Sequence, residues 1–421
     1  MSTQEGLPHP TATIGCQFNP IDPTFAQKPR DFYELARREA PVCYVPHFDM
    51  WLVSRYDDIV TVLRDPHRFS SSKAAEPPEA LPPEVLTILQ EGYPPAGAIV
   101  GTDPPMHQRI RALVSGAFSP RRIAAMEPSV RAIADELIDC FSAQGSADLV
   151  EQFAYPLPMT VIIDMLGIPR SHMGQVKSWH DALFGSMFVV GVPTEQRVEF
   201  AREGVTYQHY LGDIVADRRI SPRDDFITAL VEARAFDAEP LSTGEIVWIL
   251  IFLVTAGHET TTNLIANMMM LLLEDPAQWK AVVGNPSLFT AAVEETLRVE
   301  APFLLMRRTT TEQVELGGVV IPKGAAVGLL NGSGGIDENV FNSGARFDIR
   351  HPHPKPHLGF GSGIHYCVGA LLARQEGRIA LQSLSERLPN LRLAPAFEAV
   401  YEPNVFLRAL KRLPIVWDVG D

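Results

Sequence analysis

Apolar residues recur every three to four positions through most of the middle of this chain. That is the period of helices that bury one face. The spacing predicts helices over 105–118, 121–142, 146–166, 170–188, 194–218, 224–236, 242–274, 276–284 and 287–299. Proline and glycine punctuate them. Earlier in the chain, Phe32–Arg38 and Tyr56–Leu63 read as helices, and Val42–Val45 and Met50–Val53 as strands of a small sheet. Residues 1–30 are Pro-rich and read as irregular, and 72–101 read as a long, weakly periodic loop, a length that usually carries function. After residue 300 the pattern shortens to strands at Met306–Thr310, Val314–Leu316, Val319–Ile321 and Ala326–Leu330. An irregular Pro/His-rich stretch, 342–358, then leads into a Gly-rich turn. Helix resumes over 369–387, and strand-like residues finish the chain. The expected fold class is mainly α with a minor β region. No repeat or linker breaks the sequence, so one domain over 1–421 is expected.

The 421 residues are 46% apolar and 20% charged, an ordinary globular balance. The net charge of −14 comes without long basic runs, which argues against a nucleic-acid partner. The cysteines, Cys16, Cys43, Cys140 and Cys367, show no paired spacing. That suits a reducing compartment and predicts a cytoplasmic protein. Met1–Pro10 lacks the plan of a signal peptide. The strongest apolar run, Ile246–Gly257, is shorter than a membrane span of roughly 20 residues. It continues into His258-Glu259-Thr260-Thr261, so it reads as a buried helix and no membrane anchor is expected.

The chemistry concentrates in Phe360-Gly361-Ser362-Gly363-Ile364-His365-Tyr366-Cys367-Val368-Gly369. Here a cysteine sits in a Gly-rich turn just before an apolar helical run. A thiolate that holds iron needs backbone N–H groups aimed at its sulfur, and glycines give the open backbone for that. The helix that follows adds its positive N-terminal end. Phe360 can lie against a macrocycle, and His365 can reach a carboxylate at its edge. Cys367 therefore reads as the axial thiolate ligand of a haem, the ligation that favours O–O cleavage. The pattern F-G-x-G-x-H-x-C-x-G resembles the haem-binding signature of the cytochrome P-450 family, and every fixed position is filled.

Other segments extend the resemblance over nearly the whole chain. Ala256-Gly257-His258-Glu259-Thr260-Thr261 is similar to the family's oxygen-binding helix segment. There Gly257 would leave room for a diatomic ligand, Thr260 would offer a hydroxyl one turn later, and Glu259 would relay protons. Glu295-Thr296-Leu297-Arg298 matches the family's buried E-x-x-R pair, whose third partner is expected at Arg350 or His351. His107 and Arg111 share a helix face and resemble the family's propionate-binding H-x-x-x-R; Arg308, with Arg307 as rival, resembles the arginine for the other propionate. One departure is Gly334-Gly335-Ile336-Asp337, where the family commonly has Ala-Asn-Arg-Asp.

The resemblance implies a soluble, monomeric, bacterial-type monooxygenase carrying haem b (iron protoporphyrin IX). It would insert one O2-derived oxygen atom into a mainly apolar small substrate, such as a terpenoid, steroid, fatty acid or polyketide. Electrons would come from a separate ferredoxin and its NAD(P)H-dependent reductase, since too little chain follows Cys367 for a fused one. Arg109, Arg121, Arg122 and Arg374 would form a basic patch for that partner. Pocket walls are expected from Ile249, Leu253 and Ala256, from Phe303, Leu304 and Leu305, from Phe184, Met187, Phe188 and Val189, and from Val405 and Phe406. A peroxide-driven peroxygenase and a non-catalytic haem-thiolate sensor or carrier are the alternatives. Neither needs the pair Glu259-Thr260.

Overall fold

The computed structural model describes residues 12–419 apart from 78, 97, 98, 190, 235–238 and 343. The first part of the stretch expected to be irregular and the end of the helix expected over 224–236 lie outside the described residues. Chain contacts divide the protein into two compact units. One comprises Met1–Ala74, Ser129–Pro156 and Thr260–Asp421; the other comprises Ala75–Pro128 and Leu157–Glu259.

The first unit is built on a five-stranded sheet. Its strands are β1 (Val42–Val45), β2 (Met50–Val53), β3 (Phe69–Ser70), β4 (Leu305–Thr310) and β5 (Ala326–Leu330). They lie in the order β1-β2-β5-β4-β3. Only β2 and β5 run parallel, pairing Val53 with Leu329. Val53, Val327 and Leu329 pack with Tyr56 and Ile59 of the helix Tyr56–Arg64.

Six helices carry the functional argument: α1 (Met106–Ser115), α2 (Met173–Met187), α3 (Thr194–Ile220), α4 (Thr243–Glu274), α5 (Phe289–Val299) and α6 (Ala370–Arg387). In α5 the residues Phe289, Ala292, Val293, Thr296 and Leu297 are all buried, as an apolar stripe at helical spacing requires. In the second unit, α2 and α3 pack closely because two glycines allow it. A Cβ on Gly204 would lie 2.6 Å from Leu183, and one on Gly185 would lie 2.9 Å from Phe200. The helix α4 has 32 residues, long and apolar enough by length and composition to cross a membrane, contrary to the shorter run read from the sequence. Most of its apolar window is buried, as in the central helix of a globular fold.

Elsewhere the structure corrects the pattern. The helix expected over 146–166 is a strand Ser146–Asp148, a π-turn Val150–Ala154 and a helix Pro156–Leu166. Ser146–Asp148 pairs with Pro414–Val416, a partner far along the chain that no local pattern can announce. The expected loop 72–101 contains the helix Pro83–Leu89, whose Val85 and Ile88 pack on Ala201 and Val205 of α3. The N-terminal stretch holds short helices at Ala12–Gly15 and Pro23–Gln27, the second capped by Asp22.

Candidate functional site

The turn carrying Cys367 is fixed by backbone demands that only its own residues meet. Gly361 and Gly363 have φ of 70° and 71°, in the left-handed region. A Cβ on Gly363 would also lie 2.2 Å from the carbonyl oxygen of Leu63, so glycine alone fits. The Cys367 N–H donates to the Phe360 carbonyl (3.0 Å) and the Tyr366 N–H to that of Gly363 (3.1 Å), closing the turn. Three residues on, α6 begins with Gly369 as its N-cap, and a Cβ there would stand 4.0 Å from Cys367 Sγ. Cys367 is half-buried. Cys43, in contrast, is buried, which pushes its thiol up to about 12. Cys16 and Cys140 are exposed.

Behind the turn lies a cluster that the sequence did not announce. Arg374 Nε and Nη2 donate to the carboxylate of Glu294 at 2.6 and 3.0 Å, and His357 Nε2 meets it at 3.1 Å. Burial would raise the Glu294 carboxyl, but the hydrogen bonds and charges of His357 and Arg374 hold it at about 2. The Arg374 guanidinium stands 4.6 Å over the ring of Phe360 and bonds Tyr366 Oη at 3.2 Å. Arg374 is therefore committed to bracing the turn and is not a free member of a basic patch. Arg109 is likewise taken, by Glu245 at 2.5 Å.

The pair Glu295–Arg298 is fully buried. All five guanidinium N–H groups are used: two on Glu295 (2.8 and 2.7 Å) and three on the carbonyls of Gly335, Gly344 and Arg346. Glu295 also accepts from the Asp348 N–H (3.0 Å) and meets His353 Nε2 at 3.1 Å. An imidazole at this carboxylate is that of His353, and the charges of both Arg298 and Glu295 also act on His351, whose ring lies 5.7 Å from that of His353. Arg350 is exposed, and its backbone N–H binds Asp348. The stretch Gly334-Gly335-Ile336-Asp337 is well packed despite its departure from the family pattern. A Cβ on Gly335 would lie 2.1 Å from the Arg298 carbonyl oxygen, and Asp337 accepts from the Tyr56 N–H at 2.9 Å.

In the second unit, the segment of α4 that precedes Thr260 opens. Ile246–Ile251 are buried, so Ile249 is core rather than lining. Phe252, Leu253, Thr255, Gly257 and Glu259 are half-exposed, and Ala256 is exposed. A Cβ on Gly257 would meet only Ile162, at an ordinary contact distance of 3.4 Å, so the glycine leaves space on this part of the helix. Burial raises the carboxyl of Glu259, and the charge of Asp181 adds to it against the pull of Lys177. Thr260, the next residue of the helix, is half-exposed. On α1, where the i, i+4 spacing puts His107 and Arg111 on one face, burial and then the charge of Arg111 hold the His107 imidazole below its ordinary range. On β4, Arg308 is buried and Arg307 half-buried.

Among the expected pocket residues, Phe184 and Phe188 are neighbours with ring centroids 5.1 Å apart, while Met187 is buried. In the first unit Phe303 and Phe406 stack at 6.1 Å. The Leu304 N–H donates to the Phe406 carbonyl (2.7 Å), which brings Val405 and Phe406 beside Phe303 and Leu304.

A further acid escaped sequence reasoning. Glu376 on α6 is buried, and its Oε2 has no partner among the described residues. Burial pushes its carboxyl up to about 8. The signal was there: Leu372, Glu376, Ile379 and Ser383 fall on one face at helical spacing, and a charged residue in such a stripe must be buried. The folded protein keeps this proton until about pH 8, whereas an ordinary glutamate releases it near 4.5. Stability therefore falls as pH climbs between those values. Glu376→Gln is expected to remove this slope and to be more stable than the parent at pH 8 by roughly 2–4 kcal/mol, and nearly equal to it at pH 4. Denaturant titrations at the two pH values check this, and parallel stability curves would refute it.

A half-buried cysteine on a glycine turn, beside the start of a helix and with open space past Gly369, fits an iron–sulfur bond to haem. The site thus defines a haem-thiolate protein. The sequence matches the family described as Cytochrome P450 over residues 25–388. Cytochrome P450 107B1 of Saccharopolyspora erythraea is 37% identical over 94% of this chain and 96% of its own. The 6-deoxyerythronolide B hydroxylase of the same organism is 37% identical over 92% and 96%. The structure of cytochrome P450 CREJ in complex with (4-ethylphenyl) dihydrogen phosphate superposes with a TM-score of 0.89 at 34% identity, covering 96% of this chain and all of that one. The chain belongs to the cytochrome P450 family, oxygen-incorporating oxidoreductases that hold haem on a cysteine thiolate.

Proposed function

We propose that this chain is a single haem domain that oxidises a mainly apolar, polyketide- or terpenoid-sized substrate with dioxygen, Cys367 holding the iron. The observation that carries the reading is the half-exposed Cys367 in its glycine-fixed turn. The polyketide preference draws on relatives named 6-deoxyerythronolide B hydroxylase and Polyketide biosynthesis cytochrome P450 PksS. Electrons come from a ferredoxin and its NAD(P)H-dependent reductase. When bound, the haem supplies dioxygen activation and the two-electron oxidation of substrate.

The chain's own residues do the rest. Phe360, Gly361, His365 and Gly369 shape the turn around the ligand. Arg308 and His365, in the unit that carries Cys367, offer donors to the haem carboxylates. Apolar side chains of the unit that carries Cys367, such as Phe303 and Phe406, exclude water and hold the substrate. Glu259, whose carboxyl burial raises above its ordinary range, passes protons towards the hydroxyl of Thr260. Gly257 leaves the space that the reacting oxygen needs.

Thr260→Ala is expected to uncouple the reaction. Oxygen and NAD(P)H are consumed, while product per NAD(P)H falls about tenfold or more, within the range of general acid–base contributions. Product yield measured against NAD(P)H oxidation tests this, and unchanged coupling would remove Thr260 from proton delivery.

A further inference from the structure

Two adjacent acids on α5 have different duties. Glu295 is consumed by Arg298 inside the protein. Glu294 turns instead towards the segment that carries Cys367, where Arg374 gives it two hydrogen bonds. His357 gives a third. Its Nδ1 accepts from the Gly359 N–H at 3.1 Å, so its hydrogen sits on Nε2 and is donated to Glu294.

Through this anchor one guanidinium reaches both ends of the ligand turn. It stands 4.6 Å over the Phe360 ring, and its Nη1 meets Tyr366 Oη at 3.2 Å. Phe360 supplies the carbonyl that accepts the Cys367 N–H, and Tyr366 immediately precedes the cysteine. All of these residues belong to the first unit. The pair is also sheltered. The side chains of Arg374 and Glu294 keep 28% and 27% of their exposure, and His357 only 5%. Solvent screens them less than it screens Arg64, an exposed cation whose Nε lies 3.5 Å from Ser362 Oγ in the same turn. With both partners present, the two charges of the pair nearly cancel at the turn. With either removed, a poorly screened charge is left beside it.

We infer that the Glu294–Arg374 pair sets the potential at which the haem held by Cys367 takes up an electron. The inference rests on Cys367 being the haem ligand and adds a control of its reduction. One electron, supplied by the ferredoxin, converts ferric to ferrous iron; no bond forms or breaks, and the centre gains one negative charge. A lone positive charge at the turn favours that gain, and a lone negative charge opposes it. Both residues act through Phe360 and Tyr366, so they are positioning residues.

Redox titration of the purified holoenzyme with dithionite and soluble mediators, followed at the Soret band, reads the potential without substrate or ferredoxin. Glu294→Gln leaves Arg374 uncompensated and should raise the ferrous-to-ferric ratio at a fixed applied potential by roughly three- to tenfold. Arg374→Gln leaves Glu294 uncompensated and should lower the ratio by a similar factor. The double variant balances the charge again and should return most of the way to the parent. Arg374→Lys, which keeps the charge without the fork, should stay near the parent. Arg64→Gln should shift the ratio by less than about twofold.

A purely mechanical brace would give shifts of one sign in both single variants and the largest shift in the double variant, and that result would overturn the inference. So would an Arg64→Gln shift as large as that of Arg374→Gln. The ferrous–CO difference spectrum of each sample shows whether Cys367 still holds the iron. Loss of the red-shifted band in both single variants would make the brace mechanical and would overturn the inference as well. Absence of that band in the parent would instead overturn the haem-thiolate reading itself, and this inference with it.

Discussion

Cys367→Ser is expected to abolish dioxygen-driven oxidation, by about a thousandfold or more, while leaving the chain folded. Serine preserves the turn, because the hydrogen bond that closes it runs from the backbone of residue 367 to Phe360 and does not involve the sulfur. What is lost is the strongly donating thiolate that favours O–O cleavage. A thousandfold corresponds to about 4 kcal/mol of transition-state stabilisation, well within what a metal ligand supplies. The ferrous–CO difference spectrum separates the outcomes. The parent should give a strongly red-shifted Soret band, and the variant a band without that shift. A variant that kept the shift would show that another side chain holds the iron. Cys43 cannot substitute, since burial keeps its thiol protonated, and Cys16 and Cys140 are exposed on other segments.

Arg298→Ala is expected to cost about 5 kcal/mol or more, enough to unfold a domain of ordinary stability. The loss has two parts. The Glu295 carboxylate is left without its principal partner inside the protein. The carbonyls of Gly335, Gly344 and Arg346 lose their donors in the same step. Arg298→Lys keeps the charge but not the five-donor fork, and should lose roughly 2–3 kcal/mol. Thermal and denaturant unfolding of the lysine variant read this directly, even where the alanine variant fails to accumulate. A lysine variant as stable as the parent would mean that the fork's geometry is immaterial. Because this pair ties α5 to the stretch 335–348, haem retention should fall along with stability.

The Cys367 turn was legible because its constraints are local. Positive φ at Gly361 and Gly363, a closing backbone hydrogen bond and a helix start three residues on all lie within one short segment. Helices α1 to α6 were legible for the same reason: their buried stripes repeat at the helical period. His107 and Arg111 could be paired on α1 by their spacing, and Glu295 with Arg298 on α5.

Other features needed the folded chain. That His353 meets Glu295 is set by the irregular stretch after Asp348, which no periodicity governs. Arg374 looked like a surface cation until Glu294 and His357 were found around it. The strand Ser146–Asp148 exists only because Pro414–Val416 arrives beside it. His180 passed unnoticed, since nothing local in the sequence marks its Nδ1 as buried and without a hydrogen-bond partner among the described residues. The sequence by itself determined the family, the haem ligand and the run of helices, because those depend on spacing along the chain. The tertiary structure alone decided which charges are braced, which acids keep their protons and which polar atoms are buried, because burial and partnership are made by residues distant in sequence.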